Sequence, residues 1–140
     1  QRPGCDWPIL YQPLGLPAKK RHAWLQTLLR AGVSPNPRDA LEMTPLMLAA
    51  GNSDAESMAI LLAAGADPHA RNTSGETALG YACCADNFAG AKLLYECGAE
   101  INVLDNAGWT EELDSAKYYA SRRFHNWLVS IGCRHAATAR

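Results

Sequence analysis

The sequence predicts an all-α solenoid of about four stacked helix-turn-helix units, and three sets of residues carry that prediction. Gly32, Gly65 and Gly98 stand 33 residues apart, with Gly132 one residue late. Thr44, Thr77 and Thr110 keep the same interval. So do Leu28, Leu61 and Leu94, with Leu128 again one late. Three independent landmarks holding one period mark a repeat architecture in which each unit buries its apolar face against the next.

Taken in order, the first unit covers about residues 11–38, with QPLGLP (12–17) ahead of LLRAGVSPN (28–36), and is one residue short of the period. The second, 39–71, shows the local chemistry most clearly. Thr44 is a good N-cap, and Pro45 sits at the first helical position, where its missing N–H costs nothing. The run Leu46 to Ala50 is short and apolar, and Gly51 and Asn52 break it. Ser53 with Glu56 reads as a capping box opening a second helix through Ile60, Leu61 and Leu62. Gly65 closes that helix, because glycine tolerates the left-handed C′ conformation.

The third unit, 72–104, repeats the plan with ETALGYA (76–82) and KLLYECGAEIN (92–102). The last, 105–134, has DNAGWT (105–110), one inserted residue near 110–117, and a stripe of Phe124, Trp127, Leu128 and Ile131. That i, i+3, i+4, i+7 spacing describes one face of a helix. Helices this short are not stable alone. Stacking supplies the stability, and small residues such as Ala49, Ala50 and Ala82 allow close approach. Residues 1–140 therefore read as a single domain with atypical terminal units and short tails, and with no sheet beyond turn hairpins.

At this point the segments TPLMLAA (44–50) and ILLAAGADPHA (60–70) resemble the ankyrin repeat, as do ETALGYA, KLLYECGAEIN and DNAGWT. The resemblance is specific over residues 39–112 and weaker toward both ends. There are departures. The family's turn-bracing His is Met47 in one unit and Gly80 in the next, and its Pro is replaced by Ala78 and Glu111. The turn glycine is present as Gly75 and Gly108, but Glu42 stands at the matching position, which predicts lower local stability there.

Composition narrows the function classes. Residues 39–112 carry twelve acids against Arg71 and Lys92, whereas residues 1–38 carry a net +5 and residues 113–140 a net +4. Lys19-Lys20-Arg21 and Arg122-Arg123 lie at opposite ends of the stack, and the acidic middle repels phosphate backbones, so nucleic acid is not the expected partner. No apolar run approaches the roughly 18 residues that would cross a bilayer. The odd count of five cysteines, two of them adjacent at Cys83 and Cys84, does not resemble a disulfide framework and predicts small buried hydrophobes on helices.

His22, His69, His125 and His135 are scattered without metal-ligand spacing, and no phosphate loop or nucleophile elbow appears. Asp67 beside His69 reads as a solvated turn, and the sequon Asn72-Thr73-Ser74 as a repeat turn. The sequence therefore predicts no enzyme activity, no metal and no cofactor.

The resemblance implies that a partner protein is held on a concave face, with contact positions just before the Thr and just after the Ala pair of each unit. Carried to this chain, those positions include Leu41, Met43, Asn52, Glu76, Asn106, Trp109, Tyr118 and Tyr119. Trp109, directly before Thr110, makes the C-terminal half of that face the expected energetic centre. The partner is expected to be basic near the central repeats, and the chain monomeric on its own. The expected function is an adaptor or inhibitor, in the manner of a bacterial effector or an immunity protein, placed in the cytoplasm of the producing cell or of a host. The alternative is a regulatory or targeting domain of a larger enzyme whose catalytic part lies outside this chain. Leu94, eight residues before Asn102, also resembles the substrate pattern of the asparaginyl hydroxylase that modifies ankyrin repeats.

Overall fold

The structure, a computed structural model, describes residues 16–108 and 120–134. Among them lie six α-helices: α1 (Ala18–Arg30), α2 (Pro45–Gly51), α3 (Ala55–Ala63), α4 (Ala78–Cys84), α5 (Phe88–Glu96) and α6 (Arg122–Ser130). They form two layers. The short helices α2 and α4 pack side by side, and each rests on the longer helix that follows it, α3 or α5. In the other layer α3 packs between α1 and α5, and Phe124 and Trp127 of α6 meet Phe88 of α5. The solenoid expected from the repeat is the architecture found.

The predicted helix signals operate locally. Thr44 accepts a hydrogen bond from the Met47 amide and Thr77 from the Gly80 amide, both at 3.3 Å, so each hydroxyl satisfies an otherwise unpaired N–H in the first turn. At the other end, Gly65 adopts φ +96°. Its amide reaches the Leu62 carbonyl while the Ala66 amide reaches back to Leu61, a Schellman-type closure. Gly32, Gly98 and Gly132 close their helices with the same pair of bonds. The period read from the glycines is thus a period of helix endings.

One cap differs from the expectation. Ser53 does not open α3. Its φ of +56° makes it the left-handed residue that ends α2, and its hydroxyl donates to the Ala85 carbonyl of the next unit at 3.1 Å. The cap is Asp54, which accepts from the Ser57 amide at 3.1 Å. Ser and Asp are both good caps and stand side by side, so the choice fell to the backbone turn preceding the helix. Asp86 and Asn87 repeat the arrangement at α5.

The core is built mainly from leucine, methionine and alanine. Leu46, Met47, Met58, Leu61, Leu79 and Leu94 are fully enclosed, with Ala49, Ala50 and Ala82 where helices approach most closely. Met47 and Gly80, which depart from the family pattern, are both buried. Burial of the cysteines is split. Cys83 and Cys133 are enclosed as expected, but Cys84 and Cys97 are exposed, because the first faces away from the α2–α4 contact and the second follows the last turn of α5.

Glu42 confirms the departure noted in sequence. It takes φ +58°, the left-handed conformation that Gly75 and Gly108 adopt at +79° and +83°. A side chain there strains the backbone by about 1–2 kcal/mol. The exposed Arg38–Glu42 pair at 3.7 Å offsets little of this. Glu42→Gly is therefore expected to raise stability by about 1 kcal/mol, because glycine visits this region without steric cost. Chemical denaturation of the two proteins measures the difference, and an unchanged or lower midpoint would contradict it.

Candidate functional site

The hairpins between units carry the predicted contact positions Leu41, Met43, Glu76 and Asn106, and the structure shows how they are held. Asp39 accepts from the Leu41 and Met43 amides, both at 2.9 Å. Asn72 does the same for Ser74 and Glu76 at 2.9 and 3.0 Å, and Asp105 accepts from Ala107 at 2.9 Å. These three residues stand 33 apart. They form a further landmark of the repeat, legible in the sequence as an Asp/Asn recurrence but not used there.

Adjacent hairpins are also tied to one another. The Thr73 amide donates to the Leu41 carbonyl at 3.0 Å, the Asn106 amide to Ser74 at 2.9 Å, and the Asn106 side-chain amide to Thr73 at 2.8 Å. Two arginines one period apart extend the ladder: Arg38 donates to the Arg71 carbonyl at 3.2 Å, and Arg71 to the Leu104 carbonyl. Gly75 sits where these strands of contact converge. A Cβ there would lie 2.6 Å from Asn106 Oδ1 and 2.7 Å from an Arg71 guanidinium nitrogen. The row of tips is consequently pre-organised, which lowers the ordering cost of any contact made to it.

Two predicted residues, Met43 and Glu76, are brought together. Both face the side-chain amide of Asn72, Met43 Sδ at 3.4 Å and Glu76 Oε1 at 3.3 Å, and each is half-buried. Tyr81 completes the group. Its hydroxyl lies 3.0 Å from the same Asn72 nitrogen and 3.4 Å from Met43 Sδ. The Tyr81 ring lies beside Gly51 of α2, where a Cβ would make an ordinary 3.5 Å contact with it. Sequence reading missed Tyr81 because it lies inside a helix and not at a repeat boundary. Its one signal is a large phenol among the small residues of α4. Asn72 itself is buried, so its sequon is engaged inside the turn.

Asn52 is exposed beyond α2, and Asn106 is exposed at a hairpin tip, where its amide is engaged as described. Neither touches the Met43–Glu76 group through any bond described above. Trp109, Tyr118 and Tyr119 lie outside the described residues. The most exposed large apolar residue at a tip is Leu41, one of the expected contact positions before Thr44, with 62% of its surface in water.

The aspartates of the central region are engaged by the backbone. All five aspartates between residues 39 and 112 accept backbone amides: Asp39, Asp54, Asp67, Asp86 and Asp105. Asp67 bonds the backbone of His69, not its ring, which makes this pair a turn and not a catalytic dyad. Asn102, adopting φ +61°, donates to the Gly132 carbonyl at 3.1 Å and accepts from the Arg134 amide, an inter-unit brace that Asn36 repeats with Gly65 and Asp67.

Among the described residues no cluster of three or more metal-ligating side chains occurs, and no helix is long and apolar enough to cross a membrane. A family model described as ankyrin repeats (3 copies) matches residues 17–105.

Proposed function

Because the chain belongs to the ankyrin-repeat family, we propose that it binds a partner protein, as an adaptor or inhibitor, through the face made by its hairpin tips and short helices. The observation that carries this reading is the state of Leu41. It is held rigidly by a backbone bond to the neighbouring hairpin, yet leaves most of its apolar surface in water. Core packing makes no use of a leucine so placed, whereas covering it with a partner recovers roughly 1–2 kcal/mol of transfer free energy. Beside it the Met43–Tyr81–Glu76 group offers a mixed apolar and acidic surface suited to a partner with basic character.

Trp109 belongs to this proposal on its position in sequence, one residue beyond the turn glycine Gly108 and directly before Thr110. An aromatic residue at that repeat position is a candidate for an energetic centre, with Tyr118 and Tyr119 following it in sequence. The test proceeds in two steps. A photo-crosslinking residue at position 41 captures the partner, while the same residue at position 63, in the other layer, does not. Against the captured partner, Trp109→Ala is expected to lose at least about tenfold in affinity with melting temperature unchanged. A lowered melting temperature with normal binding would assign Trp109 to stability, and equal capture from both positions would dismiss the face.

A further inference from the structure

The outer surface of α5 and α6 carries a group of residues that stacking does not account for. Phe88 and Tyr95 of α5 each meet the Trp127 ring of α6 edge-on, with centroids 5.4 and 5.7 Å apart. Two cations stand over the Phe88 ring, Lys92 Nζ at 4.5 Å from its centroid and Arg123 at 5.6 Å. Phe124 is fully buried beneath, Phe88 and Trp127 are half-buried, and Tyr95 is 41% exposed.

The repeat supplies its own control. A shift of 33 places Ala55, Ala59 and Leu62 of α3 where α5 has Phe88, Lys92 and Tyr95. The same layer therefore packs at α3 with alanines in two of those three places. Phe88 helps cover Phe124, but Lys92 and Tyr95 extend past what the helix contact requires.

We propose that the outer face of α5 and α6 is a second docking surface, one that takes an acidic peptide segment, with carboxylates at Lys92 and Arg123 and an apolar side chain on Tyr95 and Trp127. Charge complementarity argues for that occupant. Among the described residues neither cation forms an ion pair with a carboxylate. Stacking on a ring orients a guanidinium or ammonium while leaving its N–H donors at the rim, suited to a carboxylate. Arg122 adds a third positive charge on α6, against the single acid of α5, Glu96 at its last turn. A peptide fits better than a nucleic acid. A phosphate backbone needs a contiguous basic track, and the three cations of this face, Lys92, Arg122 and Arg123, make only a local cluster.

The experiment is an amide-shift titration of the isotope-labelled protein with the blocked peptide Glu-Asp-Leu-Glu-Asp. The expected result is movement of the Trp127 indole N–H and the backbone amides around Lys92, Tyr95 and Arg123. Lys92→Glu with Arg123→Glu, its helices checked by circular dichroism, is expected to weaken the interaction at least about tenfold. If that pair unfolds, Lys92→Gln with Arg123→Gln carries the same expectation. Leu41→Asp, in the other layer, is expected to leave these shifts in place, which separates this surface from the hairpin-tip reading. Four outcomes would overturn the proposal: no shifts at α5 and α6, equal shifts with the peptide Gln-Asn-Leu-Gln-Asn, shifts that survive the removal of both cations, or binding there by an oligothymidylate but not by the acidic peptide.

Discussion

Phe124→Ala is expected to cost about 3–5 kcal/mol, because it empties the space of a fully buried aromatic side chain. The ring is 5.1 Å from Phe88 and 6.2 Å from Trp127, so its loss also removes the platform on which those two rest. In a solenoid the deficit falls first on the nearest interface, since each unit contacts only its neighbours. Hydrogen exchange is therefore expected to show α6 and the Asn102–Gly132 brace opening while α2 and α4 keep their protection. Exchange in α6 that matches the parent protein would refute this account of how the last unit is held.

Asp54→Ala is expected to cost about 3 kcal/mol and to release α1 from α3. Asp54 caps α3 and at the same time faces Arg21 Nε at 3.0 Å and His22 Nε2 at 3.1 Å, both on α1. Loss of the cap accounts for about 1 kcal/mol. The remainder comes from leaving His22 without its hydrogen-bond partner and the partly buried Arg21 without its counter-charge. Glu56, 3.3 Å from His22 Nδ1, is largely exposed and replaces little of the contact.

The same residue makes the clasp sensitive to acid. Burial alone would raise the Asp54 carboxyl, but hydrogen bonds from the Ser57 hydroxyl and amide and from His22, with the charge of Arg21, outweigh it and hold the group below its ordinary value of 3.8. A carboxylate whose folded-state pKa is depressed contributes stability that is fully present above the unfolded-state value. That contribution is lost as pH falls from the ordinary value through the folded-state one. Denaturation midpoints of the parent protein and of Asp54→Ala are thus expected to converge in that acidic window and to stay apart at neutral pH. A constant gap down to the lowest pH would contradict the assignment.

The candidate site was only partly legible. Met43, Glu76, Asn52 and Asn106 were located from their places relative to Thr44, Thr77 and the alanine pairs, and the structure puts each at a hairpin or helix end. Their duties were not legible. Asn106 ties one hairpin to the next, and Met43 joins Glu76 around Asn72, because the partner of each is set by how the hairpins align. Leu41 was legible as a position just before Thr44, but its exposure was not, and Tyr81 escaped notice because it lies within a helix and not at a repeat boundary.

What the sequence determined alone is everything that depends on bonds within a few residues. Thr44 and Thr77 start helices because their hydroxyls meet amides three residues on, and Gly65 ends one because it needs a positive φ. Repeating those signals every 33 residues specified the solenoid. The tertiary structure decided what lies between units: the Asp54 clasp onto α1, and the rings and cations gathered on α5 and α6. Each depends on groups about one period apart in the chain. Their meeting is governed by the stacking of apolar faces, which orients neighbouring units before any polar side chain finds its partner.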